Sequence, residues 1–178
     1  MSSEYSVEPK SREELRTLAK IVRENLQIDN MLYVPIVSLL DVLSKLFEKF
    51  SYEIIEDSEF PTFIHADTNP ITGHIRIKQS VYDGACEGVG RDRMTIAHEI
   101  CHYFTLCLCG FQYRRSFSKK IKTFEDPEWQ AKCMAGELMI DKELVRGMSP
   151  SEIAEKCGVS FSAAEYQYIV FQKEDNMK

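Results

Sequence analysis

Thr95-Ile96-Ala97-His98-Glu99-Ile100-Cys101-His102-Tyr103 is the stretch on which the reading of this chain turns. On a helix, His98 and His102 lie one turn apart on the same face. Two imidazoles at that spacing reach one Zn²⁺ at about 2.0–2.1 Å each. Glu99 stands beside them, where its carboxylate can take a proton from a metal-bound water. This is the HExxH pattern of zinc hydrolases. The flanking residues Met94, Ile96, Ile100, Phe104, Leu106 and Leu108 are apolar, so the helix is expected to be buried. It should run from about Arg93 to Cys109 with Asp92 as its cap. Polar groups on a core helix need partners, and a metal satisfies all three. A core helix with two hydrogen-bonded histidines is the bland alternative.

A catalytic zinc needs a third protein ligand and an open position. His65 and His74 fall on expected strands. Downstream, Asp126-Pro127 opens another helix, expected to reach about Ile140. Glu128 shares an apolar stripe with Ala131, Ala135 and Leu138 on it, and an inward carboxylate wants a cation. Glu137, one turn after Cys133 and Met134, is its rival. Either could instead be a solvated helix position or, near the N-terminus, a dipole partner. From pattern alone the choice stays open.

Working towards the N-terminus, Gly84, Gly88 and Gly90 suggest a loop before this helix. Three short β-rich segments precede it, Tyr52–Glu56, Thr62–Asp67 and His74–Lys78, separated by Asp57-Ser58 with Pro61 and by Asn69-Pro70 with Gly73. They predict a small sheet of about three strands. Ahead of them, Ile36, Leu40, Leu43, Phe47 and Phe50 mark one helix face after Pro35, opposite Ser38, Asp41, Lys45 and Glu48. Ser11 and Glu14 form a capping box before Leu15, Leu18, Val22 and Leu26. Beyond the ligand helices, Ser149-Pro150-Ser151-Glu152 and Ser160 open two short helices. The order helices, strands, helices gives an α+β class. No linker divides the chain, so residues 1–178 read as one domain, with 149–172 as a C-terminal helix-turn-helix-like segment.

The 178 residues carry 22 Lys and Arg against 28 Asp and Glu, a net charge of −6. That argues against a protein that coats nucleic acid. The most apolar stretch, Met31 to Leu43, contains Pro35, Ser38 and Asp41, so no membrane span is expected. The polar opening MSSEYSVEPKSREE predicts no secretory signal. A cytoplasmic location follows, in which the 6 Cys are free thiols rather than a disulfide framework.

Residues 95–103 resemble the active-site helix of the ImmA/IrrE family of metallopeptidases, typically TxAHELGHxxLH. Glu128-Trp129-Gln130-Ala131-Lys132-Cys133-Met134-Ala135-Gly136-Glu137-Leu138-Met139 is similar to that family's second helix, typically E(W/Y)QA(N/D)xFAxxLLMP. The resemblance spans roughly residues 10 to 170, its specific part being these two helices. It implies a zincin-like peptidase core and a Zn²⁺ cofactor held by His98, His102 and Glu128, as in other gluzincins. It also implies a protein substrate, a helix-turn-helix transcriptional repressor in phage, mobile-element or stress systems. The chain departs from the pattern at Cys101 (usually Gly), Leu106 (often His), Lys132 (usually Asn or Asp) and Asp141 (usually Pro). None removes a ligand, but Lys132 puts support around the ligands in question.

The mechanism expected is hydrolysis by a zinc-activated water, with Glu99 as general base and later as proton donor to the leaving amine. Tyr103, Tyr113, His65 and His74 are candidates for the oxyanion donor or a substrate contact. Strand His74–Lys78 would take an extended substrate if it is an edge. The basic stretch Arg114–Lys122 could steer an acidic partner or be a solvated loop. Cys101 offers an additional thiolate, and Cys107 with Cys109 offer a soft-metal pair; buried free thiols are the simpler reading. Ile153–Ser160 with Phe161, Ala164 and Tyr168 could bind DNA, but residues 149–178 contain no Arg and more acids than bases. The alternatives to a peptidase are therefore a DNA-binding regulator and a zinc-stabilised module that binds its partner without cutting.

Overall fold

The structure is a computed structural model and describes residues 5–108, 114–115 and 121–176. It is α+β. The helices are α1 (Arg12–Asn25), α2 (Ile36–Leu46), α3 (Gln79–Cys86), α4 (Gly90–His102), α5 (Pro127–Met139), α6 (Pro150–Cys157) and α7 (Phe161–Asp175). The strands are β1 (Tyr5–Ser6), β2 (Ser51–Ile55), β3 (Ala66–Thr68), β4 (His74–Lys78) and β5 (Arg114–Arg115).

Local chemistry starts the helices. Ser11 and Glu14 close a reciprocal capping box on α1, the Glu14 carboxylate accepting from Ser11 N–H at 2.7 Å. Ser149 and Glu152 do the same for α6. Asp126 caps α5 by accepting from Glu128 N–H at 3.0 Å, with Pro127 in the first turn.

The main sheet has the order β2-β4-β3, with β2 parallel and β3 antiparallel to β4. Asn69 makes the β3–β4 turn by accepting from the N–H groups of Ile71 and Thr72. Ile75 and Ile77 of β4 point into the core, while Arg76 between them is exposed. Helix α4 lies against the sheet on one side and α5 on another, and α1 packs on α5. Ile96, Ile100, Leu40, Leu43, Met134 and Leu138 meet in one core.

Several expectations are corrected. The helix carrying His98 begins at Gly90, after Val89, so Asp92 lies inside its first turn rather than capping it. It ends at His102 and continues as a π-helical stretch, Tyr103–Leu108. The glycine-rich segment is not one loop: α3 follows β4 directly and buries Val81 and Ala85. Strand β3 is shorter than Thr62–Asp67, because Pro61 C=O accepts from Ile64 N–H in a turn. Strand β4 is central, so it offers no free edge.

The α6–α7 pair is built into the body of the molecule. A Cβ on Gly90 would stand 2.3 Å from the Val159 carbonyl carbon, so only glycine lets α4 begin against the turn between α6 and α7. Arg93, buried, donates to Gly158 C=O and Val34 C=O, each at 2.7 Å. Of the basic stretch, the backbone of Arg114-Arg115 pairs with Tyr5-Ser6, a contact no sequence pattern announced. Tyr113 and Cys109 lie outside the described residues. No described helix is long and apolar enough to cross a membrane.

Candidate metal centre

His98 and His102 leave the same face of α4, and Glu128 reaches them from the first turn of α5. The Nε2 atoms of the two imidazoles are 3.0 Å apart. Glu128 Oε2 is 3.2 Å from His98 Nε2, and Glu128 Oε1 is 3.3 Å from His102 Nε2. Ligand atoms placed tetrahedrally at zinc-type bond lengths would be about 3.3 Å from one another. Two imidazole lone pairs and a carboxylate converging this closely repel unless a cation or a shared proton sits among them. The donor set therefore fits a metal ion, and these three residues form the candidate cluster among the described residues.

The three groups are also coupled electrostatically. Hydrogen bonds from His102 and His98 hold the Glu128 carboxyl well below the usual carboxylate range, against the effect of burial. Burial alone would push the His102 imidazole down, but the Glu128 hydrogen bond and the nearby carboxylates outweigh it and raise it. The Glu128 side chain is 54% exposed, so the centre is reached from solvent rather than sealed like a structural site.

A cleft of about 240 Å³ contains the three donors together with Glu99, Thr68 and Leu106. Glu99 is buried, and Thr68 Oγ1 donates to its Oε2 at 2.7 Å. Strand β3 thus fixes the carboxylate beside the candidate ligands. Thr68 is a residue of the candidate site that no sequence pattern marks; a threonine on a short strand carries no signal of its own. Leu106, where a further His is common in the resembling family, supplies an apolar wall.

The remaining candidates are placed elsewhere. Tyr103 is buried and packs edge-on against Phe47 and Phe50, so it belongs to the core. His65 Nε2 accepts from the Arg91 guanidinium at 2.8 Å, outside the cleft. His74 pairs with Ser51 and Glu53 across β2. Glu137, the rival third ligand, is bound by Arg12 at 2.9 Å and Arg16 at 2.7 Å, both from α1. Its cation is a pair of guanidinium groups. Cys101 is buried, and its sulfur is not among the donor atoms that converge with His98, His102 and Glu128. Cys86, Cys101, Cys107, Cys133 and Cys157 are all free thiols. His102 Nδ1 is buried with no partner among the described residues.

No family model matches the chain, and no curated protein or solved structure matches it significantly.

Proposed function

We propose that this chain is a cytoplasmic zinc-dependent endopeptidase of the ImmA/IrrE kind, with a zincin-like core. The observation that carries the reading is the convergence of His98, His102 and Glu128 in one cleft with the Thr68-anchored Glu99. Zinc, when bound there, supplies Lewis-acid polarisation of the scissile carbonyl and makes water acidic enough to attack near neutral pH. Glu99 takes the proton of the attacking water and delivers it to the leaving amine. Thr68 keeps the Glu99 carboxylate aimed into the cleft through that transfer.

Strand β3 is the natural seat for the substrate backbone. Its pairing with β4 alternates, with Asn69 N–H donating to His74 C=O and Lys78 N–H donating to His65 C=O. That register turns the backbone N–H and C=O of Ala66 and Thr68 away from β4. An extended segment pairing there would run past the metal ligands. The substrate, on the strength of the family resemblance, is a helix-turn-helix repressor.

The test is elemental analysis for one zinc per chain, followed by incubation with casein and with the helix-turn-helix repressor encoded nearest the gene. Wild type should cut, and Glu99→Gln should bind zinc but lose at least about 100-fold in rate. Casein cleavage without repressor cleavage would reject only the substrate; a fully active Glu99→Gln would reject the mechanism.

A further inference from the structure

A second, larger cleft of about 490 Å³ lies among α4, α5 and α7, and it shares His98 with the metal cleft. Its size is that of a ligand site able to take an aromatic side chain with its flanking backbone. Met94, Ala135 and Ala163 give it apolar walls, and the small side chains keep it wide. Exposed Arg91 and Lys132 stand at its rim.

Among the polar side chains of its lining, Gln167 is the buried one. Gln167 is 1% exposed and lines the cleft. Its Oε1 accepts from Arg12 at 3.3 Å, while its Nε2 is buried with no partner among the described residues. A Cβ on Gly136 would come within 3.1 Å of the Gln167 amide, so glycine there leaves room for the amide to lie against α5. A buried, unsatisfied donor costs free energy unless something supplies an acceptor.

We propose that this groove binds a tyrosine side chain from an acidic segment of the polypeptide substrate. The apolar walls take the ring, and the Gln167 amide turns toward the cleft so that its Nε2 donates to the tyrosine hydroxyl. Arg91 and Lys132 pair with carboxylates flanking the tyrosine. Because His98 borders both clefts, a residue seated here lies next to the bond presented to Glu99. The link to cleavage rests on the peptidase reading above; the binding itself does not.

Zinc-loaded Glu99→Gln protein should be titrated, by fluorescence anisotropy, with a labelled glycine–serine peptide carrying a central Glu-Tyr-Glu. Control peptides carry Glu-Ala-Glu, Glu-Phe-Glu and Lys-Tyr-Lys. The tyrosine peptide should bind at least about tenfold tighter than the alanine and lysine controls. It should bind about fivefold tighter than the phenylalanine peptide. Adding Ala163→Trp, which fills the groove, should remove the tenfold preference with zinc content unchanged. Gln167→Met should erase only the tyrosine-over-phenylalanine difference, and Lys132→Glu only the preference for flanking acids. The last two carry the test if Ala163→Trp does not fold. Equal affinities for all peptides, no saturable binding, or a preference untouched by these variants would overturn the proposal. Failure of the peptidase reading would show separately, as absent zinc or absent casein hydrolysis by the wild-type protein.

Discussion

Thr68 on β3 and Glu99 on α4 are 31 residues apart in the chain and joined by a 2.7 Å hydrogen bond. The bond ties the edge of the sheet to the carboxylate beside the metal donors. Thr68→Val keeps the shape and removes the hydroxyl. Zinc content should be unchanged and casein hydrolysis should fall about tenfold, with Thr68→Ser restoring most of it. A Thr68→Val enzyme as fast as wild type would show that Glu99 needs no such anchor.

Glu128 is the candidate acidic ligand, so on the zinc reading Glu128→Ala should lose bound zinc. Elemental analysis after dialysis should find well under one zinc per chain, and zinc should no longer raise the melting temperature. Retained stoichiometric zinc in Glu128→Ala would move the third ligand elsewhere.

Glu137 should behave in the opposite way. Its carboxylate is 1% exposed and bound by Arg12 and Arg16. Breaking a buried ion pair from one side costs about 3 kcal/mol. Glu137→Ala should therefore melt about 10 °C lower while still binding zinc. Calorimetry and zinc analysis on the same sample separate the two effects.

Acid sensitivity has a local contributor at Glu174. Burial would raise its carboxyl, but hydrogen bonds and charge from Arg16 and Lys142 outweigh burial and lower it. A carboxyl whose folded pKa is depressed contributes stability above its unfolded value, near 4.3. That contribution is lost as pH falls through the folded value. Urea unfolding should show Glu174→Gln less stable than wild type by about 1 kcal/mol at pH 7. The gap should close as the solution is acidified below about pH 4; a constant gap would mean the side chain acts by packing alone.

Much of this protein was legible from its residues. Ser11 with Glu14, Ser149 with Glu152, and Asp126 with Pro127 start helices where their chemistry says they should, because caps are short-range. The interval between His98 and His102 puts both on one face in any helix. The alternation of His74–Lys78 marked a strand, but not its place: only pairing revealed that β4 is central and β3 the edge. Helix α3 was hidden because Gly84 and Gly88 imitate a loop, and burial of Val81 and Ala85 overrides that local preference.

The sequence by itself determined the α+β class, the two helices that carry the candidate ligands, and the pair His98 and His102, since each depends on neighbours within a turn or two. Tertiary structure decided between Glu128 and Glu137, which pattern alone could not separate. The difference is what each meets: two imidazoles from α4 in one case, two guanidinium groups from α1 in the other. It likewise chose Thr68 as the partner of Glu99 and withdrew Tyr103 into the core. Such contacts join segments distant in the chain, and they are set by how the sheet, α4 and α5 pack rather than by any residue's local preference.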